Sequence, residues 1–242
     1  MNLKNLRSSL SFSLVLAIGI CLGAHAEEAK PKYVSTTIRL SDSPEYIRRN
    51  PAPDFWAFMP YYLPQQDAAA CGIASMTMLV NAARIHQKLT ASDALVTQKA
   101  LVDKIKVDYS KGLSLDRLGD AIKKAVTEFG LKCSVEIIHA DGTPAQNRKI
   151  QELLVKNEKS DQNFIIANFL QGAFTGDPEG GGHISPVAAF DSIHKRVLIM
   201  DVDREYYEPY WVSFETFIKG IATGDSGTKL NRGIVFVELQ NP

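Results

Sequence analysis

The order of hydrophobic patterns along this 242-residue chain predicts an α+β fold, a helical half followed by an antiparallel sheet. Three observations carry that prediction. Apolar residues recur at helical spacing through most of residues 71–129. Beyond residue 131 the apolar runs are short, rich in valine, isoleucine and phenylalanine, and bounded by turn residues. Hydrophobic residues make up 45% of the chain with no internal repeat, so one domain can bury one sizeable core.

Residues 1–26 carry Lys4 and Arg7, then an apolar run over 10–22, then Ala24-His25-Ala26. A basic start, a short apolar stretch and a small-x-small site read as a secretory signal, and a membrane anchor is the competing reading. Ile20 before Cys21 argues against a lipid-attachment site. The expected location is export, periplasmic if the source is a Gram-negative bacterium.

Residues 27–50 read as an N-terminal arm, and irregular structure is expected on to residue 60 because Pro51, Pro53 and Pro60 interrupt it. Residues 51–242 form the expected catalytic domain. A buried amphipathic helix is predicted over 71–84, with Ile73, Met76, Val80 and Ala83 on one stripe; Met76 and Met78 read as core fillers. Helices follow over 91–105 and 114–129, the second with Ser114 as N-cap and Gly130 just past its end. Alternation around Cys133 predicts a half-buried strand over 131–138, then a helix over 145–156. Strands are predicted at 164–170, 184–190, 196–202 and 233–239, with a short helix over 213–221 between the last two.

The chain carries 27 basic and 27 acidic residues and no basic stripe, which argues against nucleic acid as a partner. No second apolar stretch reaches membrane-spanning length, so no membrane association is expected after signal cleavage.

Chemistry concentrates at Cys71, six residues after Gln65 and at the start of the 71–84 helix. Unpaired N–H groups and the positive end of the helix dipole favour a thiolate there, and a glutamine just upstream can donate to a developing oxyanion. Export invites disulfides, yet beyond the leader only Cys71 and Cys133 remain. Cys133 shares a strand face with Leu131, Val135 and Ile137 and reads as core, leaving Cys71 unpaired and reactive.

Of five histidines, His25 leaves with the leader, and His86, His139 and His194 sit in polar surroundings at element ends. His183 follows Gly180-Gly181-Gly182 and opens an apolar strand, which marks it as the base; a phosphate cradle is weaker, because a strand follows in place of a helix. Asp201 lies in the apolar run 197–202, where a carboxylate needs a partner. A hairpin centred near Ile193 pairs 183 with 203 and 185 with 201, so His183 and Asp201 share a face, and a one-residue slip would separate them. Asp201, Asp203 and Glu205 resemble the start of a calcium loop, but Tyr206 stands where glycine is needed; no zinc motif occurs.

Gln65 with Cys71-Gly72-Ile73-Ala74-Ser75, Gly181-Gly182-His183-Ile184-Ser185-Pro186, Leu198-Ile199-Met200-Asp201-Val202 and Arg232-Gly233-Ile234-Val235-Phe236-Val237 closely resemble the phytochelatin synthase family of the papain-like cysteine peptidase clan. The resemblance runs from about Pro51 to the end. It implies a papain-like fold, a helical lobe carrying the nucleophile packed on an antiparallel sheet lobe. It also implies a γ-glutamylcysteine transferase: Cys71 attacks the Cys–Gly carbonyl of glutathione, glycine leaves, and water or a second glutathione takes the acyl group. His183 and Asp201 complete the triad, Gln65 serves the oxyanion, and Arg232, Asn168 and Gly182 surround the substrate. No tightly bound cofactor is implied; a divalent heavy metal, cadmium or zinc, enters as a metal–glutathione thiolate or activator. Glutathione and its metal complexes are the expected partners, and a homodimer is a candidate assembly. The cysteine-rich C-terminal region of the eukaryotic members is not in this sequence, from which hydrolysis is expected to dominate over polymer synthesis. A general papain-like peptidase and a non-catalytic thiol or metal-binding module are the alternatives.

Overall fold

The computed structural model describes residues 32–33, 37–90 and 93–240. The secretory segment read at 1–26 lies outside the described residues, as do residues 91–92 and the side chain of His86; the helix predicted over 91–105 starts only at Gln98, capped by Thr97, and 93–97 are not helical.

A seven-stranded antiparallel sheet organises the molecule. In chain order its strands are β1 (Ile38–Arg39), β2 (Cys133–His139), β3 (Asn163–Leu170), β4 (Gly182–Asp191), β5 (Arg196–Ile199), β6 (Tyr210–Ser213) and β7 (Gly233–Leu239). Their spatial order is β1-β6-β5-β4-β3-β7-β2, which puts β4, the strand of His183, at the centre. The helices are α1 (Glu45–Arg49), α2 (Pro53–Phe58), α3 (Cys71–Ala83), α4 (Gln98–Ile105), α5 (Leu115–Glu128), α6 (Pro144–Asn157), α7 (Gln171–Thr175) and α8 (Phe214–Ile221).

Both faces of the sheet are covered. One core packs α1 to α5 onto Ile166, Ile184, Leu198 and Val235, and the other packs α6, α7 and α8 onto Ile165, Val187, Ile199 and Phe236. The α+β prediction therefore holds, with helices on two faces. The central strands are buried on both sides and read as continuous apolar runs, not as alternation.

Local signals place most elements. Ser114 caps α5 through the Arg117 N–H, Thr143 caps α6 through Gln146, and Ser213 caps α8 through Thr216. Gly130 follows α5 with φ 69°, the left-handed geometry that glycine adopts without strain.

The strand predicted over 196–202 ends at Ile199, so Asp201 lies just beyond it, and three further expectations need correction. The segment over 38–60, expected to be irregular, contains β1, α1 and α2, because Pro53 sits in the first turn of α2, where a missing N–H costs no helical bond. The α3 helix is buried on all thirteen residues and is not amphipathic. Its polar side chains turn inward on local partners: Thr77 donates to the Ile73 carbonyl, and Asn81 bonds Thr77 and both backbone groups of Val96. Strands β1 and β6 went unread because two and four residues are too few to show a period; β1 pairs Ile38 with Trp211.

The β4–β5 hairpin decides the site. Asp191 pairs with Arg196, Phe190 with Val197 and Ala189 with Leu198, but Val187 pairs with Ile199, so a bulge lies at Ala188. Ala188 and Ala189 both face the α2–α5 core. Beyond the bulge the Met200 N–H donates to the Pro186 carbonyl (3.0 Å), the register that aligns 185 with 201. Without the extra residue His183 and Asp201 would point to opposite faces, so the bulge sets their shared face.

Candidate active site

Cys71 is the first residue of α3, follows Ala70, and is 6% exposed; no side chain caps this helix end. The N–H groups of the first turn are thereby left to meet a developing negative charge. The approach to the helix is held at several points. Asp67 accepts from the Ala69 N–H (2.9 Å) through its side chain and from the Ala70 N–H (3.0 Å) through its carbonyl, and the Gln65 N–H donates to the Val202 carbonyl (2.9 Å). One turn along α3, Ser75 Oγ donates to the Ile184 carbonyl (3.1 Å) and fixes the nucleophile's helix on the strand of His183.

His183 is 6% exposed and donates from Nε2 to Asp201 Oδ1 at 2.7 Å. Its other ring nitrogen is left for Cys71, which lines the same cleft. Phe169, its partner across the β3–β4 ladder, meets the imidazole edge-on at 5.5 Å. Burial alone would depress the basicity of His183, but the charge and hydrogen bond of Asp201, with a smaller contribution from Cys71, outweigh it and hold the imidazolium well above its usual range. Asp201 is fully buried. Burial pushes its carboxyl up, and the His183 charge together with bonds from His183, the Asp203 N–H and Tyr210 brings it below the ordinary value.

Cys71 and His183 open on a cleft of about 470 Å³. Its walls include Asn168, Gly182 and Arg232, as the sequence suggests, and also Lys111, Arg117, Asp225 and Thr228, which it did not suggest. Arg232 is 6% exposed; one guanidinium nitrogen donates to Thr223 Oγ1 (3.2 Å) and the Gly224 carbonyl, while its Nε has no partner. Burial lowers its basicity and the charge of Asp225 works against that. A Cβ on Gly182 would stand 2.8 Å from the Arg232 guanidinium, so this glycine makes room for the arginine. Asn168 spends its amide on the Leu113 carbonyl (3.5 Å) and ties the 111–114 loop to the sheet. Gln65 stands outside the cleft lining, beside Val202, and its buried Oε1 has no partner.

The remaining candidates fall elsewhere. Cys133 is a half-buried, unpaired thiol on the edge strand β2, raised by burial, and Cys71 is likewise unpaired. His139 bridges Asp116 and the Asn231 carbonyl, and His194 pairs with Asp191. Among the described residues no group of three or more His, Cys, Asp or Glu side chains could hold a metal ion.

A thiol at a helix start, an imidazole on a central strand and a carboxylate two residues past the end of the neighbouring strand make this a Cys–His–Asp triad protein of papain-like α+β architecture. The phytochelatin synthase family model matches residues 43–234, and the chain belongs to that family. Similar curated relatives are glutathione gamma-glutamylcysteinyltransferase 1 of Lotus japonicus, 26% identical over 80% of this chain and 37% of the relative, and its Arabidopsis thaliana namesake, 24% identical over 80% and 39%. The Schizosaccharomyces pombe glutathione gamma-glutamylcysteinyltransferase is 23% identical over 72% and 41%. The chain therefore spans about two fifths of the length of the curated relatives it matches.

Proposed function

We propose that this chain is a glutathione γ-glutamylcysteinyltransferase that also hydrolyses glutathione. The observation that carries the reading is a buried Cys71–His183–Asp201 line opening on a cleft whose charges complement glutathione.

Glutathione is zwitterionic at its γ-glutamyl end and bears a bare carboxylate at its glycine end. Arg232 and Asp225 suit the carboxylate and ammonium of the first, with Arg232 able to donate a bidentate contact to the carboxylate. Lys111 and Arg117 add cationic charge that offsets the second carboxylate.

In the reaction His183 holds, as the imidazolium, the proton it shares with Cys71 while sulfur attacks the Cys–Gly carbonyl. The Cys71 N–H holds the oxyanion, such a donor being worth roughly 3 kcal/mol of barrier; Gln65, outside the cleft lining here, would add a second donor by turning its amide towards Cys71. His183 then protonates the departing glycine amine, and a γ-glutamylcysteinyl thioester remains on Cys71. Water releases γ-glutamylcysteine, whereas the α-amine of a second glutathione, free or as a cadmium or zinc thiolate, gives phytochelatin. Asp201 keeps the imidazole oriented throughout and stabilises its charged form. The leader pattern at 1–26 supports export, to the periplasm if the source is a Gram-negative bacterium, with a monomer or a homodimer acting on glutathione there.

The test incubates purified mature protein with glutathione, with and without cadmium or zinc, and follows glycine and products by mass spectrometry. Glycine release is expected, and Cys71→Ala or His183→Ala should abolish it. Unchanged release in Cys71→Ala would overturn the mechanism, and comparable cleavage of unrelated peptides would favour a general peptidase.

A further inference from the structure

A buried carboxylate has about four acceptor positions, and both oxygens of Asp201 are doubly engaged. Oδ1 receives His183 Nε2 (2.7 Å) and the Asp203 N–H (2.9 Å). Oδ2 receives the Tyr210 hydroxyl (2.8 Å) and Gln171 Nε2 (3.3 Å). The first two belong to the triad and its own turn. The other two come from β6 and α7.

We propose that Tyr210 and Gln171 are positioning residues of the reaction: by occupying Oδ2 they stop the Asp201 carboxylate from turning, so that Oδ1 keeps the His183 Nε2–H and leaves the other ring nitrogen to Cys71. This assignment rests on the acyl-transfer reading above. The terminal torsion of an aspartate is broad, so packing and hydrogen bonds must choose its orientation. Asp201 is 0% exposed, so no solvent replaces a lost donor.

Both donors are themselves fixed. Tyr210 pairs with Ile199, two residues before Asp201, and its ring lies edge-on between Tyr33 (5.7 Å) and Tyr207 (5.9 Å). Burial first, then the Asp201 charge, keep its hydroxyl protonated and therefore a donor. Gln171 is held through its backbone: its N–H donates to the Gly181 carbonyl (2.8 Å), and its own carbonyl accepts from Thr175 Oγ1 (3.0 Å). A Cβ on Gly180 would stand 2.4 Å from the Gly172 nitrogen, so the glycines ahead of His183 serve a backbone-to-backbone contact that places Gln171.

The test is a double-mutant cycle on glycine release from glutathione, with rates normalised to the Cys71 thiol titrated by iodoacetamide. Tyr210→Phe keeps the ring packing and should lower kcat by about 10-fold with KM unchanged, because it acts through the transition-state charge on His183. In an Asp201→Asn background the same change should cost less than about 2-fold, since residues acting as one unit are non-additive. An equal loss in both backgrounds would overturn the proposal and leave Tyr210 a packing residue. If Asp201→Asn does not fold, the alkaline limb of kcat/KM decides: Tyr210→Phe should move it to lower pH, because a loosened Asp201 holds less of a proton on His183, and an unmoved limb refutes the assignment. If wild-type protein releases no glycine, the acyl-transfer reading fails separately, and the cycle is then read on the rate of Cys71 alkylation, where the same pattern is expected and additivity refutes it.

Discussion

Gly182→Ala isolates the geometry on which substrate binding depends. The added Cβ would stand 2.8 Å from the Arg232 terminal nitrogen, 3.4 Å from Nε and 3.6 Å from Cζ. An ordinary contact needs about 3.4 Å or more, so the guanidinium must retreat by roughly half an ångström or more. Bonds to Thr223 and the Gly224 carbonyl at its other side leave it little freedom, and its body is buried. A bidentate charge-assisted contact to the substrate carboxylate contributes about 1.5–3 kcal/mol, and a retreat of that size forfeits most of it. The expected result is a loss of roughly 10- to 100-fold in kcat/KM for glycine release, at about 1.36 kcal/mol per tenfold. Overpacking should also lower stability by about 1–3 kcal/mol, measured by urea unfolding. Gly181→Ala is the control, since nothing lies within 4 Å of its Cβ. A folded Gly182→Ala protein with kcat/KM within about 2-fold of wild type would refute the place given to Arg232.

Further expectations concern charge and pH. Lys111→Ala with Arg117→Ala should raise KM for glutathione several-fold and flatten its salt dependence, while glutathione carrying a glycine amide should lose little; steady-state kinetics at two ionic strengths check this. Asp54 is fully buried, accepts from Asn157 Nδ2 (2.6 Å) and has an unpartnered second oxygen; burial holds its carboxyl well above the usual range. The folded state thus keeps a proton that the unfolded state releases, so stability falls as pH rises above about 4, and Asp54→Asn should raise Tm at neutral pH with little effect near pH 4. The triad pair behaves differently. Asp201, lowered on folding, stabilises above about pH 4, and that contribution fades as pH falls through its folded value. His183, raised on folding, contributes fully below about pH 6.5 and loses its contribution as pH rises through its folded value. Chemical denaturation of wild type and Asp201→Asn should therefore differ most between about pH 4 and 6.5, and less at alkaline pH.

The triad was legible because its chemistry leaves local marks: a cysteine opening a helical period, a histidine after three glycines, and an aspartate within an apolar run of sequence. Its pairing was legible only in part. The hairpin centre read from Ile193 puts 183 and 201 on one face, yet the turn-proximal pairs run one residue off that register, and the bulge at Ala188 restores it. No residue type announces a bulge between two alanines. Lys111, Arg117 and Asp225 were invisible for another reason, since they lie on the 111–114 loop, the first turn of α5 and the 225–228 loop, and only tertiary folding gathers them around Cys71. Tyr210 and Gln171 sit in elements of four and five residues, too short for any period to mark. The helices carried caps and stripes that survive in isolation, whereas the stripe read on α3 hid that its polar residues are enclosed as well.

Trapping the acyl enzyme is the most direct test of the central claim. Mature protein mixed with glutathione, quenched in acid and digested should yield the Cys71 peptide carrying one γ-glutamylcysteinyl group, with released glycine equal to adduct plus acyl products and no adduct in His183→Ala. An adduct on Cys133, or glycine release that persists in Cys71→Ala, would contradict it.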